Sequence, residues 1–219
     1  MIKYNPKTKR YEQDGNPIEP AALVRLIHKL TDKMKGYAVD LTKRLKSGSI
    51  TLREWRAQMM ELLQNGHITA ATIGRGGADR MTPKDWQKVE NKVTWQGQYL
   101  KRFGKLTLAG ALNDSVLERR AKSYADPVYT TYANAFQESQ TEGKKEGVLA
   151  RLITNSTEGC SECAADEAAG WMPIDEMGEI GSRICGDFCK CQIEFSDDDD
   201  GSSPDFTEAA VNLVFGVSE

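Results

Sequence analysis

Residues 160–191 read CSECAADEAAGWMPIDEMGEIGSRICGDFCKC and contain every cysteine of the 219-residue chain: Cys160, Cys163, Cys185, Cys189 and Cys191. The order is Cys-x2-Cys, a gap of 21 residues, then Cys-x3-Cys-x-Cys. A two-residue spacer lets two thiolates of one turn point at the same ion, and a second group returned by the intervening loop completes a tetrahedral shell. Soft thiolates select zinc over magnesium or calcium. The segment has little apolar material of its own, so a structural Zn2+ would supply folding free energy directly. Five candidate ligands are one more than a tetrahedral site takes. Cys160 and Cys163 are the pair that the spacing defines; Cys189 and Cys191 fall on one face of a strand, and Cys185 reaches across the turn, so the spare thiol stays open. Disulfides are the competing reading, disfavoured by the odd count and the lack of a secretion signal. A redox site or an iron–sulfur cluster is the third, but the flanking strand–helix alternation that a redox pair wants is missing.

Working outward, Val148–Thr154 reads as a strand entering the cysteine region. Cys191, Ile193 and Phe195 alternate with Lys190, Gln192 and Glu194 in a second, and pairing of the two gives a short β-hairpin. Residues 147–196 are therefore expected to form a small cysteine-rich α+β module. Beyond it, 197–219 is an acidic linker and tail: Asp197–Asp200, then Gly201-Ser202-Ser203-Pro204, then a short docking helix over Phe206–Phe215.

Upstream, residues 20–146 read as a helical domain of about four long helices, so the fold class is mainly α. Pro20 opens the first, with Leu23, Leu26, Ile27, Leu30, Met34, Tyr37, Ala38, Leu41 and Leu45 at three- and four-residue steps until Gly48. Thr51 and Glu54 form a capping box for the second, with Trp55, Met59, Leu62, Leu63 and Ala70 inward and Gly74 as its end. Gly74-Arg75-Gly76-Gly77 then reads as a flexible connector. Thr82-Pro83 starts the third helix, with Trp86, Val89, Val93, Leu100 and Phe103 inward and close packing or a break near Gly97, Gly104 or Gly110. Ser115 and Glu118 cap a fourth that runs through Tyr124, Tyr129, Tyr132 and Phe136, bent at Pro127. Residues 1–19 are an irregular arm or a small hairpin around Asp14-Gly15.

The net charge of -3 conceals an asymmetry. Residues 1–155 hold 27 Lys/Arg and 16 Asp/Glu, whereas 156–219 hold 2 and 16. A basic body suits nucleic acid or an acidic protein surface, although charges spread over several helices are commonly solvated faces. No run of apolar residues suits a signal peptide or a membrane span, which predicts folding in a reducing cytosol and no membrane partner.

Other chemistry is thin. His28 and His67 fall in helical patterns and are read as ordinary helix residues. Gly74–Arg80 lacks the Gly-Lys-Ser/Thr ending of a P-loop and is given turn duty. The tyrosines are read as core or rim, and Asp166, Glu167, Asp175 and Glu176 as candidates to tune a metal from behind its ligands. No catalytic constellation and no small-molecule site emerges, so no enzyme is expected.

The order of parts carries a resemblance. Gly48-Ser49-Ile50-Thr51-Leu52-Arg53-Glu54-Trp55 in a helical region precedes a strand, Cys160-x2-Cys163, Gly170-Trp171-Met172-Pro173-Ile174, and Cys185-x3-Cys189-Lys190-Cys191. This resembles the tailed-phage minor head proteins of the Mu F-like head-morphogenesis family. There a closing Cys-x-Cys follows a His or Cys and pairs with an earlier Cys-x2-Cys. Cys185 stands where many members have His, and Lys190 where Arg is common. The resemblance implies a minor capsid protein that associates with the portal and with major capsid or scaffold subunits, and that contacts packaged DNA. It further implies a virion location, in the capsid interior or at the portal vertex, after synthesis in the bacterial host cytoplasm. The rival reading is a cellular zinc-module regulator that binds nucleic acid.

Overall fold

Each long helix begins where the sequence supplies a start. Helix α1 (Pro20–Lys46) has proline in its first turn, and α2 (Leu52–Arg75) has both halves of the Thr51/Glu54 capping box. Helix α3 (Pro83–Leu108) has a second such box from Thr82 and Asp85. This computed structural model describes residues 2–5, 7–8, 10–142, 148–154 and 160–196, and is mainly helical with two small antiparallel sheets. The expected linker and docking helix of residues 197–219 lie outside the described residues.

Pro127 does not bend one helix. It separates two, α4 (Asp114–Ser123) and α5 (Pro127–Thr141), because proline has no N–H for the preceding turn and its ring is suited to a first helical position. The cap of α4 is Asn113, whose side chain accepts from the Val116 amide, and not Ser115. Trp86, Leu26 and Tyr37, expected inward, are exposed, while Val89, Val93, Leu100 and Phe103 are buried as expected. Gly97 and Gly104 leave α3 unbroken and admit α2: a Cβ on Gly97 would meet Met60, and one on Gly104 would meet Leu52 and Trp55.

The N-terminal residues form more than a hairpin. β1 (Ile2–Asn5), β2 (Arg10–Gln13) and β3 (Asn16–Ile18) make an antiparallel meander, with Asp14 and Gly15 both at positive φ in its second turn. This sheet is fastened to the end of α2. The Tyr4 amide donates to the Gly76 carbonyl at 2.7 Å, and the buried Tyr11 hydroxyl lies 2.5 Å from both the Gly74 carbonyl oxygen and Ser139 Oγ of α5.

Those contacts correct the reading of Gly74–Gly77. The segment is packed and hydrogen-bonded. Gly74 lies inside α2, where a Cβ would come within 2.5 Å of the Tyr132 carbonyl oxygen and 2.8 Å of Ala135 Cβ. Gly76 takes the left-handed cap position, its amide donating to the Ile73 carbonyl and that of Gly77 to the Thr72 carbonyl. These two amides are thus spent on closing the helix and do not serve a phosphate.

A second sheet has the order β5 (Met172–Pro173), β4 (Leu149–Ile153), β6 (Gln192–Phe195). The two expected strands do pair, Ala150 opposite Phe195 and Leu152 opposite Ile193, but not as a hairpin: the cysteine segment is strung between them. One face packs on α5, where Phe195 meets Phe136 at 5.9 Å between ring centroids. The other carries the Arg151–Glu194 ion pair under Trp171. One apolar cluster joins Leu23, Ile27, Val128, Tyr129 and Tyr132 of α1 and α5 to Ala150, Leu152 and three of the cysteines.

His67 is fully buried in α2. Gln96 donates to the Tyr124 carbonyl, which leaves its Oε1 to accept from His67 Nε2 at 2.8 Å; Thr131 Oγ1 lies 2.7 Å from Nδ1. Burial lowers its pKa from 6.5 to about 4. The unfolded chain therefore takes up a proton between those values that the folded chain refuses, and stability falls as pH drops through this window.

Three outcomes are expected. Between pH 7.5 and 5 the parent should lose about 2 kcal/mol more stability than His67→Gln in parallel urea titrations. In the same assay Gly74→Ala should destabilise by about 1–3 kcal/mol, because backbone stands in the way. Gly36→Ala, with open space around it on α1, should stabilise by up to about 1 kcal/mol.

Candidate metal centre

Cys160 and Cys163 are positioned by the start of a helix. Cys160 is the N-cap of α6 (Ser161–Ala169), and its sulfur accepts from the Cys163 amide at 3.4 Å. The two-residue spacer thus places one sulfur at the cap and the other three residues on, facing the same way. Cys185 and Cys189 flank one 3-10 turn over Gly186–Phe188, closed by Phe188 N–H to the Cys185 carbonyl and Cys189 N–H to that of Gly186. Extended backbone then carries Cys191 back to the same side as Cys189, both buried, with Lys190 exposed between them.

The structure brings all five predicted ligands together. Cys160, Cys163 and Cys185 form one group with sulfurs within 4.8 Å of one another, and Cys163, Cys189 and Cys191 form a second. Cys163 belongs to both. The Cys163–Cys185 sulfur separation is 3.6 Å, close to the roughly 3.8 Å expected between two ligands of a tetrahedral zinc with Zn–S bonds of ~2.3 Å. All five are free thiols. Among the described residues neither group includes a histidine or a carboxylate, so each candidate donor set is all sulfur, of the kind that zinc accepts.

Hydrogen bonds sort the thiols by acidity. The Cys163 amide and thiol hold Cys160 down to about 7, and the Cys191 thiol, then its amide, holds Cys189 down to about 5. Burial pushes Cys163 up to about 11 and raises Cys185; Cys191 is raised by its hydrogen bond to Cys189 and by burial. Crowded thiols suppress one another's ionisation. A divalent cation at their centre favours the thiolate at every ligand, so binding would release protons.

The loops around the sulfurs are held by residues that the motif does not contain. Arg183 is buried, paired with Asp166 of α6 and donating to the Met177 and Glu179 carbonyls. Glu162 accepts from the Ile184 amide, and Glu167 from the amide and hydroxyl of Thr154. Asp166 and Glu167 thus fix loops, while Asp175 and Glu176 are exposed on α7 (Ile174–Met177). One signal for Arg183 exists in the sequence: it and Lys190 are the two basic residues of an otherwise acidic segment. Tyr129 donates to the Cys191 carbonyl at 3.2 Å and stacks on His28, 5.5 Å away, so His28 supports the cysteine turn from behind.

No family model, no curated protein and no solved structure matches this chain. No helix among the described residues is long and apolar enough to cross a membrane.

Cys163 is shared between the two sulfur groups, so its loss should matter most. Cys163→Ser is expected to abolish zinc retention against a chromophoric chelator and to open residues 148–196 to protease. Cys160→Ser and Cys191→Ser, each outside one group, should retain zinc more tightly than Cys163→Ser. Equal loss in all three variants would refute the shared role.

Proposed function

We propose that the protein is a structural and assembly component of a tailed-phage head, with a structural Zn2+ held by four of its five cysteines. One observation carries this reading. The Cys-x2-Cys and the Cys-x3-Cys-x-Cys, two of the parts on which the Mu F-like resemblance rests, bring their sulfurs together in two groups that share Cys163, beside a sheet that includes the Met172–Pro173 strand. In this reading α1, α2, α3 and α5 form a bundle of four long helices, and the sulfur-centred module is the rigid unit that docks on the portal and inner capsid. The protein is made in the bacterial host cytoplasm and ends in the virion. The role needs stiffness and surface complementarity, and no chemistry.

A second reading, a zinc-module regulator that binds nucleic acid, is favoured by one feature. Exposed Arg53, Arg56, Lys101, Arg102 and Lys105 of α2 and α3 have no ion-pair partner among the described residues.

Co-expression with portal and major capsid subunits separates the two. An assembly protein should co-purify with portal or procapsid at about 0.3 M salt, and its affinity for duplex DNA should be weak and sequence-independent. A regulator should purify alone and bind one DNA sequence preferentially, with a logarithmic salt slope of about −5 or steeper. That second pattern would sink the head-protein reading.

A further inference from the structure

The five sulfurs are grouped in a way that one tetrahedral ion does not require. Cys160, Cys163 and Cys185 lie within 4.8 Å of one another, as do Cys163, Cys189 and Cys191, and Cys163 alone belongs to both groups. One zinc takes four sulfurs and leaves the fifth idle. Two groups of three that share a member match another donor pattern: two three-coordinate ions joined by one bridging thiolate, whose sulfur has lone pairs for both. All five cysteines are then used.

The number and burial of the donors choose the ion. Three sulfurs around an ion with bonds of ~2.3 Å stand ~4.0 Å apart in a trigonal plane and ~3.8 Å apart in a tetrahedron. The Cys163–Cys185 separation of 3.6 Å and the 4.8 Å span of each group admit either arrangement, so the count of donors decides. A zinc in each group would need a fourth ligand. Among the described residues no histidine or carboxylate joins either group, and Cys163, Cys189 and Cys191 are 1, 3 and 6% exposed, so water has little access to the second. Three thiolates do complete Cu(I), a soft cation that thiolates select. Each group also has its own support. Glu162 accepts from the Ile184 amide and so ties the start of α6 to the Cys185 loop, while Tyr129 donates to the Cys191 carbonyl. Half-buried Cys160 and Cys185 open the first group to solvent, and the shared sulfur links it to the buried second group.

We propose that the cluster binds two Cu(I) ions per chain, one on Cys160, Cys163 and Cys185, the other on Cys163, Cys189 and Cys191, with the Cys163 thiolate bridging them. Copper enters and stays as Cu(I), so no electron moves, and each thiol that becomes a ligand gives its proton to solvent. This form replaces the structural zinc and does not coexist with it, because zinc needs four of the same five sulfurs. It uses the sulfur cluster of the zinc reading without requiring that reading to hold.

The test starts from the full chain as purified, with its zinc content measured first. Cu(I) is then added without oxygen, as its acetonitrile complex, against a chromophoric Cu(I) chelator. Two copper ions per chain are expected at saturation, with a copper–copper scattering path in X-ray absorption and release of any zinc present. Cys160→Ser and Cys191→Ser each leave one group whole, so each should hold one copper against the same chelator and lose the copper–copper path; unchanged helicity will verify that they fold. Saturation at one copper, at three or more as for unorganised thiols, or at two without the scattering path would overturn the proposal. So would a Cys160→Ser or Cys191→Ser variant that keeps both ions and the path. The zinc reading fails separately: a chain that never retains zinc but takes two bridged Cu(I) loses that reading alone, and one that retains zinc but takes a single Cu(I) loses only this one.

Discussion

Where α2 meets α5, the absence of a side chain at residue 74 lets the two backbones approach, and the rest of the structure is arranged around that contact. The Tyr132 carbonyl and the Phe136 amide occupy the space that a Cβ would need. From this contact α5 presents one side to α2 and another to the second sheet and the cysteine turn, through Phe136 against Phe195 and the Tyr129 hydroxyl on the Cys191 carbonyl. The N-terminal sheet reaches the same place through Tyr11, whose hydroxyl bridges α2 and α5. Just beyond, buried Arg75 lies 3.0 Å from Asp85 at the start of α3, so the helix end that glycine frees is also fixed by charge.

The cysteine segment solves a different problem. Among the described residues between β4 and β6 are one helix of nine residues, one of four, the two-residue β5 and a single 3-10 turn. Little regular hydrogen bonding is available there, and its apolar residues fill a cluster that already belongs to α1 and α5. With Arg183 joining α6 to the following loop, the convergent sulfurs are where a bound metal would supply folding free energy that a core supplies elsewhere. A metal at this point would stiffen the surface that carries Phe188 as much as it would hold the fold.

Local signals in the sequence suffice for the helix starts. The Thr51/Glu54 capping box uses adjacent side chains, and the proline starts of α1 and α3 need nothing from afar. The cysteine cluster was legible for the same reason, since its spacings imply a common centre whatever the fold. What is not legible depends on contacts between distant parts of the chain. Ser115 and Asn113 both offered a cap to α4, and only packing decides between them. Gly74–Gly77 looks like a connector because glycine has the same letters whether it confers freedom or permits contact; Tyr132, 58 positions on, makes the difference. Residues 1–18 show too little apolar periodicity to announce a sheet, because Tyr4 and Tyr11 are fixed by groups of α2 and α5 as well as by the neighbouring strand.

That last arrangement bears on how the chain is made. Tyr4 waits for Gly76, and Tyr11 for Gly74 and Ser139, 128 residues ahead of it. At synthesis rates of ~5–20 residues per second, the first strands leave the ribosome several seconds before α5 exists to receive them. Docking of the N-terminal sheet is therefore late relative to the helices that it joins, and an affinity tag placed before residue 2 would sit on strands that wait for α5.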